Sequence, residues 1–182
     1  MQTVYILLAR GCEECEALIP ADLLKRADAN VVFVATEGGL VVPGSHKITV
    51  TADITIDELR KEDMACLVLP GGMPGTTNLA KNPRVEALIE YAAERGIFIG
   101  AICAAPSILG NMKLLDGRRA AVYPSFADAL SQANITGKKV EHDDIFITAE
   151  GMGAAYEFGF KLVEVLYGSQ MVEKLKEEIR YS

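Results

Sequence analysis

The sequence predicts an α/β fold with a mainly parallel central sheet. Three observations lead there. Short apolar runs rich in β-branched residues recur at 3–9, 31–36, 66–69 and 97–102. Amphipathic stretches of helical period lie between them. Cap and turn residues mark the joints, so strand and helix alternate as crossover-connected parallel strands require.

The run at 3–9 (TVYILLA) is short and uninterrupted, as a strand covered on both faces must be. Residues 14–27 follow with Ala17, Leu18, Ala21, Leu24 and Ala27 at three- and four-residue steps, which predicts one apolar helix face. The strand at 31–36 leads into 40–50, where Pro43-Gly44 between β-branched runs predicts a hairpin or edge excursion. After the strand at 66–69, Asn82 caps a helix over 83–95 with Pro83 in its first position and Gly96 past its end. The strand at 97–102 comes next. Asp143-Asp144 predicts a second hairpin over 138–148, and the tail predicts two helices, 151–167 and 169–179, broken at Gly168. No repeat, low-complexity tract or long linker interrupts the chain, so residues 1–182 are expected to form one domain.

Composition narrows the function. The 18 Lys and Arg against 25 Asp and Glu give a net charge of −7. Binding to a phosphate backbone or an anionic membrane needs clustered cations, so neither nucleic acid nor membrane is expected as a partner. No apolar run approaches the roughly 20 residues of a membrane helix. The apolar start has no basic leader or cleavage site and reads as a strand, not a signal peptide. Four scattered cysteines do not make a disulfide scaffold, and reduced thiols in the cytoplasm are the expectation.

Four segments could carry chemistry. In Gly100-Ala101-Ile102-Cys103-Ala104-Ala105-Pro106 a strand runs into a cysteine, small residues and a helix-starting proline. This is the logic of a nucleophile elbow, with the helix amino terminus expected to lower the thiol pKa. The same pattern also fits a buried cysteine acting as a small hydrophobe. Pro70-Gly71-Gly72-Met73-Pro74-Gly75 follows the third main strand. Its glycines let backbone N–H groups approach a ligand or oxyanion, or make a plain tight turn. It lacks the Lys-Ser/Thr pair of a nucleotide loop.

Gly11-Cys12-Glu13-Glu14-Cys15-Glu16 has redox-motif cysteine spacing, but the intervening glutamates would raise both thiol pKa values. Zinc would need a second ligand pair, so no metal is expected. The better reading is that Glu13, Glu14 or Glu16 faces Cys103, because loops after successive parallel strands meet at one edge. A carboxyl beside a thiolate would stay protonated and could pass a proton. Glutamates on the surface of a helix start are the alternative. Gly151-Met152-Gly153 only loosely echoes a dinucleotide fingerprint and reads as close backbone packing. The chain has just two histidines, His46 and His142, neither adjacent to Cys103, which weighs against a cysteine–histidine triad.

Together, G-C-E-E-C-E-A-L-I-P, L-P-G-G-M-P-G, A-I-C-A-A-P and G-M-G-A-A-Y-E-F, in that order over nearly the whole chain, resemble the ThiJ/PfpI superfamily. The similarity is to the branch of the Parkinson-disease-associated deglycase. The resemblance implies a flavodoxin-like three-layer sandwich, a homodimer and no metal or organic cofactor. It implies that Cys103 is an oxidation-sensitive nucleophile and that Glu16 is the protonated acid bonded to its sulfur. Gly72 and Ala104 would supply oxyanion-binding N–H groups. Tyr123, Gly71 and Met152 would lie near the pocket, and so would Arg26 and His46, at positions that in family members often fall at the dimer interface. The chain departs from the family pattern where Tyr123 stands in place of a histidine, where Ala104 replaces the protease branch's histidine, and where Met152 and Ala154 alter G-P-G-T. Peptidase activity is therefore not expected. The implied function is cysteine-dependent conversion of α-oxoaldehydes or their early adducts to hydroxy acids. The alternative is a redox-sensing chaperone whose cysteine becomes a sulfinic acid.

Overall fold

The computed structural model describes residues 2–181. In chain order the elements are β1 (Thr3–Leu8), α1 (Glu14–Arg26), β2 (Asn30–Ala35), β3 (Val41–Pro43), β4 (Thr49–Thr51), β5 (Ile54–Thr55) and β6 (Met64–Leu69). Then come α2 (Gly75–Ala80), α3 (Pro83–Glu94), β7 (Phe98–Ile102), α4 (Pro106–Asn111), β8 (Arg119–Ala120) and β9 (Asn134–Ile135). β10 (Val140–Asp143), β11 (Phe146–Ala149), α5 (Ala155–Tyr167) and α6 (Ser169–Glu178) complete the fold.

Seven strands form one sheet in the order β10-β11-β7-β6-β1-β2-β5. All neighbours are parallel except β10 and β11, the expected second hairpin. The first expected hairpin is β3–β4, a separate two-stranded ribbon. Helices cover both faces, giving three layers. Period-two alternation divides β1 between two cores: Val4, Ile6 and Leu8 pack with α1, α5 and α6, while Tyr5 and Leu7 pack with α2, α3 and α4. Burying each such aliphatic side chain contributes about 1.5–3 kcal/mol. Glycine sets the depth of one layer. A Cβ at Gly100 in β7 would stand 2.9 Å from the Phe158 ring of α5, so only hydrogen lets that helix settle onto the sheet.

The helix at 14–26 forms, but its exposed and buried sides differ from the periodicity. Leu18 is 39% exposed, whereas Glu14 and Glu16 are buried with Ala17, Ala21, Leu23 and Leu24. The start of α1 is drawn under the loops after β1 and β6, so its acids turn inward. No sequence signal predicts α2. Gly75-Thr-Thr-Asn is a poor helix former, and it is the packing of Leu79 into the second core that holds it.

Candidate active site

β1 lies at the point where strand order reverses, with β2 on one side and β6 on the other. Loops leaving adjacent strands part there and open a crevice at the carboxyl edge. The loops after β1, β6 and β7 deliver Glu13 to Glu16, Gly71 and Gly72, and Cys103 to that edge.

Cys103 follows β7 with φ of +64°, a left-handed conformation costly for a residue with a Cβ. Two hydrogen bonds hold it there: its N–H donates to Ala149 O at 2.9 Å, and its carbonyl accepts from Tyr123 N at 2.9 Å. Its half-buried side chain meets the Glu16 carboxyl, and the N–H groups of Gly72 and Ala104 are directed at its sulfur. Cys12 and Cys66 are sealed in the core, and burial pushes their thiols up to about 11 and about 12.

Glu16 is fully buried on the first turn of α1. Its backbone N–H donates to Glu13 Oε2 at 2.7 Å, so Glu13 is the helix cap. Its Oε2 accepts from Gly71 N at 2.9 Å. Its Oε1 is buried without a partner of hydrogen-bond geometry among the described residues. Burial is the main force on this carboxyl and raises its pKa to about 7, against the lowering effects of Cys103 and Gly71. A neutral acid with its hydrogen on Oε1 also costs less than a carboxylate with an unpaired oxygen there.

The expected lowering of the Cys103 pKa is reversed. Burial first, then the Glu16 carboxylate, push the thiol up to about 12; only the Gly72 and Ala104 amides pull it down. α4 begins three residues beyond the sulfur and is six residues long, so little helix field reaches it. The thiol therefore stays protonated at neutral pH, and once Glu16 ionises, near pH 7, its carboxylate can take that proton as the sulfur attacks.

Glycines make this contact possible. A Cβ at Gly71 would lie 2.6 Å from Glu16 Oε2 and 2.7 Å from Cys103 Cβ. Gly72 has φ of +84°, which turns its N–H toward the sulfur at no steric cost.

Tyr123 lies directly against the Cys103 main chain, and Gly151, which precedes Met152, packs beside the Tyr123 ring. Arg26 and His46 are not brought to the sulfur. Arg26 is exposed and paired with Asp22 at 2.7 Å and Glu178 at 3.0 Å, beside Tyr156 and Tyr181. It projects from the far end of α1, more than two turns from Glu16. His46, in the β3–β4 turn, faces Glu14: Nδ1 lies 3.0 Å from Glu14 Oε2, and Glu14 Oε1 accepts from the backbone N–H of His46 at 2.8 Å and of Ile48 at 3.3 Å. The Glu14 carboxylate thus staples this turn to α1. Glu13, Glu14 and His46 are the one group among the described residues with three side chains close enough to share a metal, and these hydrogen bonds account for the arrangement without one. Sequence reasoning also missed Ala149, whose carbonyl anchors Cys103; a backbone acceptor leaves no mark in residue type. A 360 Å³ cavity lined by Ile56, Leu59, Arg84 and Leu88 shares no residue with the Cys103 site.

Known proteins share this sequence pattern and this fold. The DJ-1/PfpI family model matches residues 2–165. Protein dj-1beta of Drosophila melanogaster is 32% identical over 96% of this chain and 94% of its own length. Protein DJ-1 homolog B of Arabidopsis thaliana is 34% identical over 92% of this chain, which spans only 38% of that longer protein. The glutathione-independent glyoxalase DJR-1.2 of Caenorhabditis elegans is 27% identical over 94% of this chain and 92% of its own. Among solved structures, a cysteine-to-alanine mutant of a DJ-1 superfamily protein from Salmonella typhimurium superposes with a TM-score of 0.94 at 33% identity, covering 100% of both chains.

Proposed function

The chain belongs to the DJ-1/PfpI family, and from that premise we propose that it is a cofactor-independent, cysteine-dependent enzyme converting small α-oxoaldehydes, or their early adducts with amines and thiols, to hydroxy acids. The observation that carries this reading is the contact of the buried Glu16 carboxyl with Cys103, with the Gly72 and Ala104 amides directed at the sulfur. The similarity to the nematode relative, named as a glutathione-independent glyoxalase, supports it.

Glu16 takes the thiol proton as Sγ adds to the aldehyde carbon. The new alkoxide lies against the Gly72 and Ala104 N–H groups. A proton then moves from the former aldehyde carbon to the adjacent carbonyl carbon, and the hemithioacetal becomes a thioester with no net oxidation. Water cleaves the thioester, the hydroxy acid leaves and Cys103 regains its proton. With methylglyoxal the sum is one aldehyde plus one water giving lactic acid. Starting from an adduct, the freed amine or thiol leaves as well. The test is lactate formation from methylglyoxal by the purified protein; full turnover by Cys103→Ser would refute the mechanism.

A second reading has its own support. Cys103 is accessible where Cys12 and Cys66 are sealed, and a neutral acid beside it can donate a hydrogen bond to a sulfinate. In this reading peroxide oxidises Cys103 to the sulfinic acid and the protein acts as a redox-sensing chaperone. Peptide mass spectrometry after mild peroxide should find two added oxygens at Cys103 ahead of Cys12, Cys15 and Cys66. Either chemistry needs a reducing compartment such as the cytoplasm. A homodimer completes the proposal, with Leu18, Val41 and Ile48 as exposed apolar surface for a second copy; sedimentation equilibrium tests it.

A further inference from the structure

The reaction proposed above does not say which group the aldehyde carries beyond its carbonyl, and the surroundings of Cys103 bear on that. Two large apolar side chains, Tyr123 and Met152, stand exposed on the two segments that supply hydrogen-bond partners to its backbone. Tyr123 is 48% exposed, and its own N–H donates to the Cys103 carbonyl at 2.9 Å. Met152 is 53% exposed and lies three residues beyond Ala149, whose carbonyl accepts the Cys103 N–H at 2.9 Å. The segment carrying Met152 passes Tyr123: a methyl group at the preceding residue, Gly151, would stand 3.5 Å from Tyr123 Cδ2. Exposed apolar residues scattered singly need no explanation. Here Tyr123 is hydrogen-bonded to the Cys103 backbone, and Met152 follows Gly151, which packs beside the Tyr123 ring, so the two are not scattered.

Acids predominate in the turn that carries Glu16. No lysine, arginine or histidine figures among the groups that chiefly set the titration of Cys103 or Glu16. Glu13 and Glu14 lie in the same turn as Glu16. An anionic substituent brought to the sulfur would approach this acidic turn, whose one basic neighbour named above, His46, already faces Glu14.

We infer that Tyr123 and Met152 form an apolar rim that selects α-oxoaldehydes carrying a neutral aromatic or alkyl group and disfavours those carrying a carboxylate. The inference rests on the proposed reaction for the word oxoaldehyde, but the rim itself is independent of turnover. Tyr123 supplies a flat face for an aryl group, and Met152 supplies an adaptable thioether beside it. Both are specificity-determining residues; neither is required to activate the sulfur.

The experiment reads the rim twice. First, Cys103 is alkylated with N-benzyl iodoacetamide, iodoacetamide and iodoacetate, each rate followed by peptide mass spectrometry and divided by the rate with a free small thiol. The benzyl reagent is expected to be fastest and iodoacetate slowest. Tyr123→Ala and Met152→Ala should each cut the benzyl preference by about 10-fold, the lower end of what one apolar contact provides. Tyr123→Phe, which keeps the ring, should retain it. Second, kcat/KM is compared for phenylglyoxal, methylglyoxal and the anionic α-oxoaldehyde 4-carboxyphenylglyoxal, with the preference falling in that order. Iodoacetate matching iodoacetamide, or an unchanged benzyl preference in both alanine variants, overturns the rim. Lactate formation without this selectivity sinks the rim alone, while selective labelling without lactate sinks the catalytic reading alone.

Discussion

Gly71 donates its N–H to Glu16 Oε2 at 2.9 Å across 55 residues of chain, joining the loop after the third central strand to the first turn of the first helix. That bond orients the carboxyl whose other interaction is with the Cys103 thiol. It also leaves no room for a side chain at position 71.

Gly71→Ala should therefore act on both partners at once. The added methyl would stand 2.6 Å from Glu16 Oε2 and 2.7 Å from Cys103 Cβ, and neither the helix nor the strained turn can yield without cost. The expected destabilisation is about 1–3 kcal/mol, the usual range for overpacking. Urea unfolding measures it, and slower alkylation of Cys103 should accompany it.

Glu16→Gln removes the proton acceptor and leaves the carboxamide's shape. If the carboxyl takes the thiol proton during attack, kcat/KM for methylglyoxal should fall by about 10²-fold or more, the usual share of a positioned acid–base group. Wild-type activity should rise with pH as Glu16 ionises near 7, because only the carboxylate can accept the proton. The variant should lose that limb of the profile.

Stability carries the same signature with the opposite slope. The folded pKa of Glu16, about 7, lies above the unfolded carboxyl value near 4.3. The folded state keeps a proton that the unfolded chain releases, so this stabilisation is full below pH of about 4 and is lost as pH rises through about 7. The loss is on the order of 3 kcal/mol. Denaturant midpoints at pH 5 and pH 8 should differ in the wild type, and this component should be missing from Glu16→Gln.

Glu14 behaves in the reverse sense. Hydrogen bonds from the backbone of His46 and Ile48 and from the His46 ring help to hold its pKa below the ordinary value, despite its burial. Its contribution is present above the unfolded carboxyl pKa and is lost as pH falls. Glu14→Gln should cost about 1–3 kcal/mol at neutral pH and free the β3–β4 turn. Faster amide exchange at His46 and Ile48 would show the release.

Much of this was legible in the residues. β-branched runs, the Asn82-Pro83 start, the two hairpin breaks and Gly168 are local signals, and the elements form where those signals lie. Glu16 and Cys103 could be paired because loops after successive parallel strands converge. Leu18 and α2 went the other way, since helix period does not say which face a neighbouring loop will cover. Arg26 and His46 showed the same limit, for their partners Glu178 and Glu14 are remote in sequence.

The sequence by itself determined the alternation of strands and helices, and with it a cysteine at a strand end near a cluster of acids. Tertiary structure alone decided the proton's place. Burial of Glu16, the reach of the Gly71, Gly72 and Ala104 amides, and the desolvation of the sulfur all arise from groups far apart in the chain. Ionisation depends on solvent and charge in three dimensions, so the thiol that a local helix start was expected to acidify is instead held protonated until its neighbour takes the proton.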